Sequence, residues 1–149
     1  MTYELKKLKR EHIVELLKDD INKDVRIWMK EDLIDKVMEF DFNMSLFYKD
    51  ELMAVFGTQP CWLNRAYLWA IFSKRCKKNF LPVFRGMKRY LEYQPFKRAE
   101  VCVRSDFKLG RRRMELLGFK LECSSAESYM PNGDSAALYS YVRTNGSSF

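Results

Sequence analysis

Apolar and polar residues alternate with two different periods along this chain. "TYELKKL" opens with an alternation of two, which predicts a short strand. "REHIVELLKDD" then sets Ile13, Leu16 and Leu17 at helical spacing. From Asp24 to Phe40, the residues Ile27, Trp28, Ile34, Val37 and Met38 recur every three or four positions. That spacing predicts one helix, with Asp24 as its cap. The period changes at "NMSLFY" (43–48) and "LMAVFG" (52–57), two runs separated by a polar "KDE", and a hairpin is predicted. "TQPCWLNR", with Pro60, reads as a loop. "AYLWAIF" (66–72) has almost no polar alternation, as in a central strand covered on both faces.

A basic stretch, "SKRCKKN" (73–79), precedes a strongly amphipathic segment. Phe80, Val83, Phe84, Met87, Tyr90 and Leu91 fall on one side of a helix, and Arg85, Lys88, Arg89 and Glu92 on the other. Pro82 belongs in its first turn. "RAEVCV" (98–103) predicts a strand, with Ser105 or Asp106 capping the helix that follows. In that helix Phe107, Gly110, Met114 and Leu117 line one face, and Gly118 lets the chain leave it. "KLEC" and "SAALYSYV" (135–142) predict the last two strands, joined across "MPNGD", whose Asn-Gly suits a tight turn. The order is β-α-α-β-β-β-α-β-α-β-β: a mixed α/β (α+β) protein with helices on the faces of a sheet. Residues 1–143 are expected to form a single domain, and "TNGSSF" (144–149) a loose tail.

Composition narrows the class. The chain has 149 residues, of which 47% are apolar and 15% aromatic, enough for a real core. No apolar run approaches the roughly 20 residues of a membrane span, and "MTYELKKLKREH" has no signal-peptide core. A cytoplasmic protein without a membrane partner is expected. Cys61, Cys76, Cys102 and Cys123 are far apart and His12 is the single histidine, so no metal is expected and the thiols should be free. The charge is divided: residues 1–73 hold 11 Lys/Arg and 13 Asp/Glu, and residues 74–149 hold 16 and 7. A basic half points to a phosphate-bearing ligand or nucleic acid, or else to a solvated surface.

The element order, with "FKLGRRRMELLGFKLE" following a strand, resembles the GNAT (Gcn5-related N-acetyltransferase) superfamily, in which a helix after the fifth strand ends in a Gly-Phe pair. Within it, "CWLNRAYLWAIFSKRCKKNF" and "EVCVRSDFKLGRRRMELLGF" are similar to the small GNAT-like internal virion proteins of short-tailed bacteriophages. The resemblance covers nearly the whole chain. It implies a mostly antiparallel sheet of about six or seven strands, with about four helices on its faces. It also implies acetyl-CoA held where the fourth strand parts from the fifth. Trp69, Ala70, Ile71 and Phe72 would border the pantetheine arm, and Ser73, Lys74, Arg75, Lys77 and Lys78 the diphosphate, with Ser105 nearby. A diphosphate suits helix-start amides, because those donors lack intrahelical acceptors.

Two departures stand out. "SKRCKKN" lacks the glycines of the family's phosphate loop, although its four cations could supply charge instead. Met114 stands where many members carry a tyrosine that protonates the leaving thiolate. No catalytic residue is assigned. Glu100 and Cys102 share one face of their strand, and Tyr139 and Tyr141 lie on the last strand. Glu100 and Tyr139 are the candidates for base and acid, against plain roles as a surface carboxylate and sheet packing. His12 reads as a surface residue. Three functions follow: an acetyl-CoA-dependent N-acetyltransferase acting on a protein or small amine; an inactive GNAT-like phage module binding a virion or host protein; and nucleic-acid binding by the basic half. Arg111, Arg112 and Arg113 fan around their helix at about 100° per residue. Lys108, Arg111, Arg112 and Glu115 share one side, which reads as a solvated outer face.

Overall fold

The computed structural model describes residues 2–143; the tail expected at 144–149 lies outside the described residues. The chain runs β1 (Tyr3–Lys7), α1 (Arg10–Leu17), α2 (Lys23–Trp28), α3 (Glu31–Met38), β2 (Met44–Tyr48), β3 (Glu51–Trp62), β4 (Arg65–Phe72), α4 (Phe80–Glu92), β5 (Arg98–Arg104), α5 (Lys108–Leu116), β6 (Lys120–Ala126) and β7 (Ala136–Val142), with short 3-10 turns at Asp20–Asn22 and Lys74–Lys77. The strands are hydrogen-bonded in the order β1-β2-β3-β4-β5-β7-β6. β4 and β5 pair in parallel, while β1–β2, β2–β3, β5–β7 and β6–β7 are antiparallel. The chain divides into two compact units, the first formed by residues up to Gln59 with Trp69–Tyr93, the second by Pro60–Leu68 with the chain from Gln94 onward.

In the first unit, Ile13, Leu16 and Leu17 of α1 bury as their spacing predicts, against Met29, Ile34 and Val37 and the strand residues Leu52, Val55 and Ile71. The single helix expected over Asp24–Phe40 is two. Met29 (φ −85°, ψ 75°) and Lys30 (φ −94°, ψ 178°) leave helical geometry between α2 and α3. The break buries Met29 and leaves Ile27 exposed, and Arg10 of α1 pairs with Glu31 and Asp35 of α3. His12 is not a free surface residue. Its Nδ1 accepts the Lys9 N–H (3.2 Å) and lies 2.7 Å from Ser45 Oγ, and its ring packs edge-on against Phe47. α4 lies on β1 and β2 and buries Val83, Met87, Tyr90 and Leu91. Pro82 sits in its first turn, where the missing N–H costs no intrahelical bond.

The predicted hairpin extends further than its pattern suggests. β3 continues through Pro60 to Trp62, so the segment expected as a loop is strand. β2 pairs with β3 only as far as Phe56, and beyond that point Pro60 can lie on the unpaired side. Asn64 (φ 79°) makes the turn into β4.

In the second unit, α5 starts after Phe107, which makes no side-chain cap, so neither Ser105 nor Asp106 has the expected role. Its buried face is Gly110, Met114 and Leu117, while Phe107 remains exposed. The helix ends in a paired motif: Gly118 N donates to Glu115 O (3.1 Å) and Phe119 N to Met114 O (3.0 Å). Gly118 has φ +99°, and a Cβ there would lie 3.3 Å from the Tyr141 ring. "MPNGD" lies within a longer β6–β7 connection, where Gly133 N bonds Met130 O at 2.8 Å. Replacing Gly118→Ala should destabilise the protein by about 1–3 kcal/mol, the usual cost of a side chain held at positive φ. Urea unfolding measures it, and an unchanged midpoint would show that the turn tolerates a Cβ.

Candidate active site

β4, the turn after it and the start of α4 hold nine of the ten residues expected at a cofactor: Trp69, Ala70, Ile71 and Phe72 on the strand, then Ser73, Lys74, Arg75, Lys77 and Lys78. The tenth, Ser105, lies in the second unit. Its N–H bonds Ser135 O, its Oγ bonds Ser124 O, and its carbonyl accepts Arg111. Trp69 is half-buried and packs against the core cluster, and a Cβ on Gly57 would come within 2.9 Å of its buried indole nitrogen.

The backbone of the turn is committed internally. Phe72 O accepts Asn22 Nδ2 at 2.8 Å, and Ser73 N donates to Met53 O at 2.8 Å. Lys74 N donates to the Asp19 carboxylate (3.0 Å) and Arg75 N to Ser73 Oγ (3.1 Å). Cys76 N bonds Ser73 O, Lys78 N bonds Arg75 O, and the Cys76 thiol donates to Met53 O at 3.0 Å. Four of the amides expected to face a diphosphate therefore already serve the turn. The cause is partly local and partly tertiary: Ser73 caps the 3-10 turn, and the distant connection after α1 supplies Asp19 and Asn22.

An anion is better received one turn later, at the start of α4. Its first-turn N–H groups lack intrahelical acceptors, apart from Pro82, which has none to offer. No acidic residue occupies that turn, and the Asn79 side chain does not cap it. Lys74, Lys77 and Lys78 are exposed beside it, while Arg75 is paired with Glu51 at 3.0 Å. These residues fit a cofactor diphosphate by charge and by helix polarity. Asn79, Phe80 and Leu81, at that helix start, were not among the residues expected from the sequence.

The second unit contains an open concavity of about 370 Å³, lined by Trp62, Arg65, Tyr67, Glu100, Glu122 and Tyr129 among others. In the parallel β4–β5 register, Arg65 lies directly opposite Arg98. Two like charges so placed repel. Glu100, two residues along β5 on the same face, answers both: it pairs with Arg65 and lies 2.8 Å from Arg98 Nε. Arg98 continues the chain of charges to Glu122, whose carboxylate also accepts Ser140 Oγ at 2.8 Å. The Arg65 guanidinium stacks 4.4 Å from the Trp62 ring centre.

The hydrogen bond from Arg65, opposed by burial and reinforced by the bond from Arg98, holds the Glu100 carboxyl at about 2. Such a group is a very weak base at neutral pH. Tyr139 is equally committed. It is fully buried, accepts Arg111 Nε at 3.2 Å and donates to Glu115 at 3.0 Å. Arg111 therefore turns inward and is not part of a solvated face. Cys102 is exposed on the Glu100 face of β5, and Met114 is buried under α5. Among the described residues no cluster of His, Cys, Asp or Glu could hold a metal ion.

No protein-family model matches the chain, and no curated protein matches it in sequence. Its fold does have solved counterparts. A GNAT-family acetyltransferase from Bacillus anthracis superposes with a TM-score of 0.72 at 11% identity, covering 95% of each chain. An N-acetyltransferase from Staphylococcus aureus gives 0.73 at 11%, covering 95% of this chain and 98% of that one. The ribosomal-protein-S18-alanine N-acetyltransferase of Escherichia coli gives 0.66 at 14%, covering 97% and 98%. The fold is that of the GNAT acetyltransferases.

The Glu100 cluster has a pH signature. A carboxyl held low in the folded state stabilises fully above its ordinary value near 4.5, and that contribution is lost as pH falls toward 2. Glu100→Gln should therefore be less stable than the parent at neutral pH, with the gap closing on acidification through that window. Denaturant midpoints across pH check this; a gap independent of pH would remove the ion pairs as its cause.

Proposed function

We propose that this chain is a GNAT-type acyltransferase that passes an acetyl group from acetyl-CoA to an amine of a protein or small molecule. The observation that carries the reading is the run from β4 through a lysine-flanked turn into an acid-free helix start, within a GNAT fold. Acetyl-CoA supplies an activated thioester carbonyl. Lys74, Lys77 and Lys78 attract its phosphates, and the first amides of α4 orient them. Asp19 and Asn22 keep the preceding turn rigid by holding Lys74 N and Phe72 O. Neither Glu100 nor Tyr139 takes up or delivers the transferred proton, since each is locked in a pair. The attacking amine accordingly loses its proton to water or arrives in its free-base form.

A second reading is a GNAT-fold module without catalysis, binding a virion or host protein in the manner of the phage proteins it resembles. Met114 in place of a proton donor, and Glu100 held as a structural anion, favour it. No comparable observation favours nucleic acid, because one arginine of the "RRR" run faces inward to Tyr139.

Millimolar acetyl-CoA should raise the melting temperature by mass action, and Lys77→Glu with Lys78→Glu should abolish most of the rise. No shift in folded protein would count against any acyl-CoA reading. A shift without acetylation of any supplied amine would favour the second.

A further inference from the structure

One face of the second unit's sheet is open. α5 covers the other face, since a Cβ on its Gly110 would come within 2.9 Å of Val103. Side chains alternate along a strand, so Glu100 of β5 and Tyr67, its neighbour across the β4–β5 register, lie on the side away from α5. The concavity of about 370 Å³ is on that open side, and every residue bordering it belongs to this one unit.

Its lining excludes several kinds of ligand. Three aromatic rings border it and stay partly open to water: Trp62 is 64% exposed, Tyr129 43% and Tyr67 37%. Such rings suit a cation, but Arg65 already fills that role. Its guanidinium lies 4.4 Å from the Trp62 ring centre and 5.5 Å from that of Tyr67. An anion would meet two carboxylates, because the charged lining residues balance, Arg65 and Arg98 against Glu100 and Glu122. The remaining class is uncharged. The hydrogen-bonding capacity left over is mixed as well. Arg65 Nη1 makes no hydrogen bond among the described residues, and Glu100 Oε1 accepts only Arg65 Nη2, at 2.9 Å. Both atoms belong to one ion pair, so a free donor and a free acceptor position lie side by side.

We propose that this concavity binds an unpaired nucleobase, a flat uncharged heterocycle stacked on the aromatic rings, with a ring acceptor bonded by Arg65 Nη1 and a neighbouring N–H donating to Glu100 Oε1. Stacking supplies most of the affinity, since every base has a π-face, and the donor–acceptor edge orients the ring. Arg98 and Glu122 continue the ion pairs beneath and keep Glu100 in place. A peptide group offers the same edge without the flat π surface, and three open rings favour the base. The binding is independent of acetyl-CoA.

Calorimetric titration with guanosine and uridine should show saturable binding at millimolar concentration or below. Trp62→Ala and Tyr129→Ala, at exposed positions and checked for folding by circular dichroism, should each weaken it about fivefold or more. Lys77→Glu with Lys78→Glu should leave it unchanged. Benzoate and benzylamine, flat but charged, should bind about tenfold more weakly or worse. A single-stranded oligouridylate that binds more tightly than uridine identifies a strand as the source of the base, and no gain identifies a free nucleoside. Folded protein that takes up neither nucleoside would overturn the proposal. So would benzoate or benzylamine binding as tightly as the nucleosides, or binding that both aromatic substitutions leave intact.

Discussion

A parallel pair of strands inside a mostly antiparallel sheet depends on one carboxylate. β4 and β5 meet with Arg65 facing Arg98, a register that places two guanidinium groups side by side. Like charges across a strand pair are destabilising, and Glu100, from the next same-face position on β5, pairs with both. The parallel join also obliges the chain to cross over through α4 before returning as β5. The lysine-flanked turn and the start of α4 thus exist because the sheet needs that crossover. The same pairing that makes the join stable removes Glu100 from the bases, since a carboxyl held near 2 has little tendency to take a proton. Fold and chemistry compete for the same side chain, and the fold wins.

Periodicity made most of the elements legible. Ile13, Leu16 and Leu17, the α4 face and the strands at 66–72, 98–103 and 135–142 all follow from spacing, because each buries a face whose period matches its geometry. The misses share a different cause: conformations decided by single residues against tertiary partners. The break at Met29–Lys30 is unreadable in a continuous apolar pattern, yet burying Met29 and pairing Arg10 with Glu31 and Asp35 require it. β3 runs through Pro60 because strand pairing beyond Phe56 is one-sided, which a proline alone does not reveal. Capping residues were misplaced for a similar reason. At α1 the His12 ring, not an Asp or Ser, accepts the Lys9 N–H.

At the candidate site the lysines were legible, and the commitments of the backbone beside them were not. The basic stretch after β4 turns its lysines outward, but its own amides close on Ser73, Asp19 and Arg75. A sequence shows the lysines and hides the partners of their backbone, because Asp19 and Asn22 lie fifty or more residues earlier. The exchange is physically coherent. Glycine-rich loops leave amides open by having no side chains to satisfy them, whereas here Ser73, Arg75, Asp19 and Met53 satisfy them and the charge stays on the outside. On the proposed function, recognition of a diphosphate would rest more on exposed Lys77 and Lys78 and on the polarity of α4 than on a backbone cradle.

The arginine run at 111–113 follows the same logic on the opposite side of the question. Its charges are not one patch. Arg111 folds inward to Tyr139 and to Ser105 O, tying α5 to the sheet, while Arg112 stays outside between two exposed leucines. A helix that buried only its own apolar residues would have hidden Leu109 and Leu116 and turned all three arginines to water. Instead, α5 hides Gly110, Met114 and Leu117 and uses a guanidinium as part of its attachment. A charged group holding the helix down means that fewer leucines are needed beneath it. The leucines left outside are the apolar surface that a solvated helix would not carry.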